Sequence, residues 1–328
     1  MKLLINTQKV DQNDPVLGFF HRWIEEFSKH CEQIIVICLQ KGEFNLPTNV
    51  RVLSLGKETG KSHLKYLWRF YKYIWRERKN YDKVFVHMNQ EYVVLGGLWW
   101  CVMGKKVFLW RNHRVGNFLT RIAVWLADTV FYTSPQSFTA QFAKAKQMPV
   151  GVDTKMFCPD PNIKPKPRSI LALGRISPVK KLEIFIETLL ELQKRGEIFM
   201  ATIVGSPISE IDKIYEHKLH NLAAPLLETG KLIFLPAVPH HETPAIYRAH
   251  EIYVNLTPPG SFDKTILEAM ACGNLPALLP DRLTTEIKKL VSMSDREKQV
   301  IRLKNQTLVE RHSLNQLFRT PFFFPVIE

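Results

Sequence analysis

Short apolar, β-branched runs alternate with longer stretches of helical periodicity from the first residue onward. The runs Lys2–Ile5, Ile34–Leu39, Val50–Leu55, Lys83–Val86, Lys106–Trp110 and Val130–Thr133 read as strands. Residues 17–30, 61–78, 91–103, 117–127 and 135–144 between them read as helices. Strand–helix alternation of this kind predicts a parallel sheet covered by helices on both faces. The alternation breaks at Cys158–Ser169, where four prolines in twelve residues predict a linker that is neither helix nor central strand. It then restarts. Strands are predicted at Ile170–Leu173, Ala201–Val204, Leu232–Leu235 and Ile252–Leu256, with helices over 179–195, 208–222, 241–249, 263–271, 283–290 and 294–316. The pattern therefore predicts two doubly wound α/β domains, with ligands held outside the carboxyl ends of the strands.

Composition narrows the picture. The chain of 328 residues is 45% hydrophobic and 23% charged, a globular composition, with a formal net charge of +14. Residues 1–150 hold 22 Lys and Arg against 11 Asp and Glu, so the first half carries most of the excess and should face something anionic. Five cysteines without a C-x-x-C pair argue against a disulfide framework or a thiolate zinc site, and for a reducing compartment. The apolar run at the N-terminus stops after Ile5, short of a secretory signal, and Tyr92–Gly104 is too short to span a bilayer. The expected location is cytoplasmic. His217 with His220, and His240-His241-Glu242, lack a third ligand at metal-site spacing.

Three segments carry candidate chemistry. Gly174-Arg175-Ile176-Ser177-Pro178-Val179-Lys180-Lys181 follows a strand and opens a helix, a place where backbone N–H groups and the two cations could meet a diphosphate. Pro258 to Gly273 sets a Pro/Gly loop before a helix that Ser261 or Asp263 would cap, with Glu268 alone among small and apolar residues. In the third, Lys61, Lys65, Arg69, Lys72, Arg76 and Lys79 recur at helical spacing beside Leu64, Leu67, Trp68, Tyr71, Ile74 and Trp75. That pattern suits either a core-packed helix with a basic solvent face or an interfacial helix on anionic lipid. No nucleic-acid-binding module accompanies it, so none is expected as a partner. Gly56-Lys57-Glu58-Thr59-Gly60-Lys61-Ser62 imitates a phosphate loop but has three residues between its glycines where the Walker pattern has four.

Four blocks occur in a telling order: Gly151-Val152-Asp153 through Phe157, the Gly174–Lys180 loop, Val238 to Asn255, and Phe262 to Gly273. Together they resemble family 4 of the retaining, nucleotide-sugar-dependent glycosyltransferases. The resemblance is strong over about residues 150–276 and weaker before them. It implies the GT-B fold, two Rossmann-like doubly wound domains facing across a cleft. Residues 1–153 would form the acceptor side, 154–169 the linker, 170–315 the donor domain and 316–328 an atypical apolar tail.

The resemblance also implies roles. Arg175 and Lys180 match the pair that holds the donor diphosphate and neutralises the leaving group, with no metal and no further cofactor. Glu268 matches the glutamate that bonds the nucleotide ribose, Pro239 and His240 the backbone that reads the base, and Gly205 and Ser206 the turn near the donor. Gly174 belongs to the diphosphate loop. His113 sits where relatives place a histidine facing the sugar. Gly260 stands where the first glutamate of the E-x(7)-E motif is expected, with Ser261 and Asp263 as partial substitutes, and Lys181 replaces a usual glycine. The run from Pro276 into Leu283–Leu290 is shorter than in relatives. The expectation is a retaining hexosyltransferase-type enzyme acting on a glycan or lipid-linked acceptor, peripheral at the inner face of the membrane. The alternative is a shortened, inactive relative that binds nucleotide or membrane.

Overall fold

The apolar runs become two parallel sheets in a computed structural model that describes residues 1–60, 62–258 and 263–320. Lys61, Gly260, Ser261 and the end of the tail lie outside the described residues. The chain divides into two compact units, one of residues 1–151 with 315–320, the other of 152–258 with 263–314.

The first unit runs β1 (Lys2–Val10), α1 (Phe19–Ser28), β2 (Gln33–Lys41), β3 (Val50–Ser54), α2 (His63–Arg76), β4 (Lys83–His87), α3 (Gln90–Val102), β5 (Lys106–Trp110), α4 (Phe118–Leu126), β6 (Thr129–Tyr132) and β7 (Ala145–Gln147). Its strands are all parallel in the order β3-β2-β1-β4-β5-β6-β7. One sheet face packs on α1, where Phe27 and Phe85 rings lie 5.3 Å apart and Phe20 stacks on His87 at 3.9 Å. The other is buried under Phe70 and Ile74 of α2, Tyr92, Val93 and Trp100 of α3, and Val124 of α4.

Two readings of this half need correction. The helix expected over 135–144 is only a 3₁₀ turn at Phe138–Gln141, followed by β7. Ser137 and Thr139 hydroxyls bond the Arg111 carbonyl, and Phe138 N–H bonds the His113 carbonyl, so the segment is tied to the loop after β5. The basic stripe is also thinner than its spacing implies. Lys79 lies beyond the end of α2, and Arg69 turns inward to donate to the Leu55 carbonyl at 2.8 Å. Lys65, Lys72 and Arg76 remain exposed. Of the accompanying apolar stripe only Ile74 is buried, whereas Leu64, Trp68 and Trp75 face solvent.

The second unit runs β8 (Lys166–Leu173), α5 (Leu182–Lys194), β9 (Met200–Val204), α6 (Glu210–Glu228), β10 (Leu232–Leu235), α7 (Thr243–Ala249), β11 (His250–Val254), α8 (Lys264–Ala271), β12 (Leu275–Ala277), α9 (Leu283–Ser292) and α10 (Asp295–Arg311). The parallel order is β10-β9-β8-β11-β12, around a core that includes Phe185, Leu189, Ile203 and Ile252. Central strand β8 begins inside the segment expected to be linker. The proline rule holds locally, because the ladder skips from Lys166–His250 to Ile170–Ile252 and Pro167 falls in the skipped stretch. Arg168, at φ 59°, and Ser169 fill the gap with bonds to and from Glu251. The final helical stretch breaks at His312–Ser313. Past it, α11 (Leu314–Arg319) brings Phe318 edge-on to Phe27 of the first unit at 4.6 Å. The apolar character of the tail's described part is thus core packing.

Candidate active site

In the second sheet the chain runs β8, β9, β10 to one side and then crosses to β11 on the other, so the switch point lies between β8 and β11. The loops leaving those two strands hold the candidate residues. Gly174 follows β8 at φ 142°, a backbone angle that disfavours any side chain, with the end of the Lys180 side chain lying alongside. The loop is pinned to its neighbour after β9: Gly174 N–H donates to Val204, and Ile176 N–H to the Ser206 carbonyl at 3.2 Å. Ser206 Oγ accepts from Ala237 N–H at 3.0 Å, carrying the brace on to the loop after β10. Pro178–Lys180 form a 3₁₀ turn, and Lys181 then takes the left-handed conformation (φ 50°) that starts α5. Lys181 thus occupies a backbone position that suits glycine.

Lys180 does not stand as an open cation. Its ammonium pairs with the Asp263 carboxylate, which also accepts from Asn255 Nδ2 at 2.9 Å, Thr257 Oγ1 at 3.2 Å and Thr265 Oγ1 at 2.7 Å. Burial alone would raise the Asp263 carboxyl. The Lys180 charge and these hydrogen bonds outweigh it and hold the group down at about 2. Asp263 caps α8 through Thr265 N–H, the role sequence assigned to it or to Ser261. Beneath it, the Tyr253 hydroxyl lies 2.7 Å from Thr265 Oγ1 and donates to Leu173 at 3.1 Å. Burial raises the Tyr253 phenol, so it remains protonated.

Arg175, by contrast, is exposed; burial raises the nearby Asp212 carboxyl, and hydrogen bonds from Ser209 and Ile208, with a smaller pull from the Arg175 charge, bring it below its ordinary value. Ser177 Oγ is buried in the same loop with no hydrogen-bond partner among the described residues. A cavity of only about 10 Å³ lies here, lined by Gly174, Arg175, Lys180 and Asn255, with room for about one water.

A second cluster centres on Glu268, buried on α8. His240 Nε2 donates to Glu268 Oε1 at 2.9 Å, and the His240 ring rests 5.2 Å from Phe157. One carboxylate oxygen expected to meet a ribose is therefore already held by the residue after Pro239. Lys264, one helical turn earlier, has its ammonium pushed down to about 8 by burial, against the opposing pull of Glu268 and Asp153. His113 belongs to the first unit, exposed in the loop after β5. Its Nδ1 lies 3.1 Å from Val115 N and 3.0 Å from the Val115 carbonyl, to which Arg111 also donates. Among the described residues no three His, Cys, Asp or Glu side chains are grouped to hold a metal ion.

Of the residues expected from sequence, Lys180 is joined to Asp263 and His240 to Glu268, two pairings that spacing did not suggest. Sequence reading missed Asn255, Thr265, Tyr253 and Lys264. The one available signal was an Asn at a strand's carboxyl end facing a short loop to a capped helix.

Comparison with known proteins fits this geometry. Residues 155–285 match the family described as glycosyl transferases group 1. The fold is GT-B, and the matched stretch lies in its second unit. Over its full length the structure is similar to Alr3699/HepE of Anabaena, solved in complex with UDP, at a TM-score of 0.74 and 18% identity, covering 97% of each chain. A glycosyltransferase from Rickettsia africae ESF-5 aligns at a TM-score of 0.73 and 14% identity, over 98% of this chain and 97% of that one. By sequence, 143 residues are 27% identical to a GDP-mannose-dependent alpha-(1-6)-phosphatidylinositol monomannoside mannosyltransferase of Mycolicibacterium smegmatis. That alignment spans 39% of this chain and 36% of the mannosyltransferase.

Proposed function

We propose that the chain is a retaining glycosyltransferase that moves a sugar from a nucleotide diphosphate donor to a glycan or lipid-linked acceptor. The observation that carries this reading is the braced Gly174–Lys181 loop at the switch point of the second sheet, within the matched residues, which holds both Arg175 and Lys180. The second unit takes the donor, and the first, with its positive charge, takes the acceptor. As the bond from the sugar's anomeric carbon to the diphosphate breaks, Arg175 and Lys180 stabilise the charge left on phosphate. The acceptor oxygen bonds to the same face of that carbon, and its proton passes to the departing diphosphate. The His240–Glu268 pair orders the nucleotide-reading side, with the remaining carboxylate oxygen turned to the ribose, and His113 serves the sugar. In this scheme the countercharge comes from Arg175 and from Lys180 once it turns from Asp263 to the phosphate, and no metal is called on.

One observation favours a second reading, a non-catalytic nucleotide-binding relative. Asp263 already neutralises Lys180, so a diphosphate must share or displace it. A single experiment separates the two. Thermal shift with UDP and GDP, followed by a transfer and hydrolysis screen over UDP- and GDP-sugars, should show both stabilisation and turnover. Stabilisation without turnover on any donor selects the second reading, and neither result overturns both.

The first unit is further proposed to sit on anionic lipid at the cytoplasmic face of a membrane through α2. Trp68 is 62% exposed and Trp75 54%, and each is capped by a cation, Lys72 at 4.6 Å and Arg78 at 4.4 Å from the ring centre. Trp99 of α3, 49% exposed, extends this face and leans on Trp75 at 6.3 Å. Aromatic rings among lysines and arginines match the chemistry of an anionic headgroup layer. No helix among the described residues is long and apolar enough to cross a membrane.

A further inference from the structure

We propose that the cavity under α2 in the first unit seats the apolar part of an amphiphilic acceptor, an inference that rests on the glycosyltransferase reading above. In this sheet β1, β2 and β3 run to one side and β4 lies on the other side of β1, so the switch point falls between β1 and β4. Open parallel sheets hold ligands outside the carboxyl ends of their strands at such a point. A cavity of about 480 Å³ opens there, inside the range of roughly 300–1,000 Å³ typical of small-molecule sites. Gln8 and Leu39 line it from the ends of β1 and β2, Asn89 from the turn after β4, Leu67 and Phe70 from α2, and Tyr92 and Leu95 from α3.

The chemistry of the lining selects the occupant. Leu39, Leu55, Leu67, Phe70, Tyr92 and Leu95 make the walls apolar. Asn89 Nδ2 donates to Gln8 Oε1 at 3.1 Å, which uses one donor and one acceptor of the few polar groups in the lining. The charged or titratable neighbours, Lys57, His63 and Glu91, are half-buried or exposed. A free sugar or glycan would leave hydroxyl groups unpaired in this space. A hydrocarbon or isoprenoid chain would be desolvated by it, each buried methylene adding affinity, while a polar head stayed among Lys57, His63 and Glu91. The same helix that roofs the cavity with Leu67 and Phe70 presents Trp68 and Trp75 outward. A chain drawn from a lipid surface at those tryptophans would meet the cavity across the width of α2. Of the two acceptor classes, glycan and lipid-linked, the structure thus favours the lipid-linked one.

The test uses the full chain and hexyl, octyl and decyl β-glucosides below their micellar concentrations, titrated calorimetrically without donor. Affinity should rise with chain length and fall about tenfold or more in Leu67→Trp and in Leu39→Trp, each of which puts an indole into the space along the cavity wall. Leu67 is 37% exposed, so its variant should remain folded even if Leu39→Trp does not. A Trp68→Ser/Trp75→Ser variant should keep the binding. Absence of binding, indifference to chain length, or binding lost in the tryptophan variant but retained in Leu67→Trp would each overturn the proposal. UDP and GDP thermal shifts on the same samples report the donor reading separately. If those shifts are absent while chain-dependent binding persists, the donor assignment fails and the cavity assignment stands.

Discussion

Gly205 lies so close to Gly174 that a Cβ built on it would fall 2.0 Å from the Gly174 carbonyl oxygen. The obstacle is backbone, so no rotamer change relieves it. Gly205→Ala must therefore push the Gly174–Lys181 loop away from the loop after β9, breaking the Ile176-to-Ser206 hydrogen bond that fixes it. We expect a loss of about 1–3 kcal/mol in unfolding free energy, with the stabilisation by UDP or GDP diminished beyond what that loss explains. A variant with unchanged melting and unchanged nucleotide shift would show that the brace is not needed to form the site.

Arg175 offers the cleaner test of catalysis because it is exposed and the fold does not lean on it. Removing a cation that stabilises developing phosphate charge should cut turnover by about 10²–10³-fold. Arg175→Ala should keep the melting temperature of the parent, since surface substitutions usually change stability by less than about 0.5 kcal/mol. Arg175→Lys should recover only part of the rate, as a point charge replaces a planar fork. Unchanged turnover in Arg175→Ala would remove this residue from the mechanism.

Asp263 links the site to acid stability. Its folded carboxyl is held at about 2, below the ordinary aspartate value of 3.8, chiefly through Lys180 acting against burial. A depressed carboxyl contributes stability that is fully present above the unfolded value and is lost as pH falls through the folded one. The contribution should be about 2 kcal/mol, fading between pH 3.8 and about 2. Asp263→Asn should be less stable at neutral pH and show a flatter decline across that window in denaturant titrations. A decline as steep as the parent's would assign the acid sensitivity to other carboxylates.

Much of this was legible in the chain, and the parts that were not share a cause. Strands of a parallel sheet buried on both faces read as continuous apolar runs, which is why β2, β4 and β9 are visible at once. Edge strands β7 and β12 have three residues each, too few to show a pattern. Pro167 hid the start of β8, because a bulge that makes the proline harmless exists only once β11 is alongside. The same holds at the site. Loop order and residue type pointed to Arg175, Lys180, Asp263, His240 and Glu268, but Lys180 meets Asp263 from 83 positions away and His240 meets Glu268 from 28. Those partnerships decide charge and availability, and spacing along the chain does not encode them. Lys181 is the exception. The resemblance marks it as standing where glycine is expected, and its left-handed backbone is one that suits glycine.

The exposed face of α2 makes a prediction that separates charge from ring insertion. Lys65 and Lys72 flank Trp68 and are exposed, whereas Arg69 is committed to the Leu55 carbonyl and should be left in place. With each basic residue worth about 1 kcal/mol near an anionic surface, Lys65→Glu/Lys72→Glu should weaken co-sedimentation with phosphatidylserine-containing vesicles by at least about 30-fold. The deficit should grow as salt is lowered, because screening masks charge differences at high ionic strength. Trp68→Ser/Trp75→Ser should weaken binding comparably at all salt concentrations, since ring burial is not screened. Neither change should alter melting, because Trp68 and Trp75 are more than half exposed and both lysines face solvent. Equal sedimentation of parent and both variants would return α2 to the role of a core helix with a basic outer face.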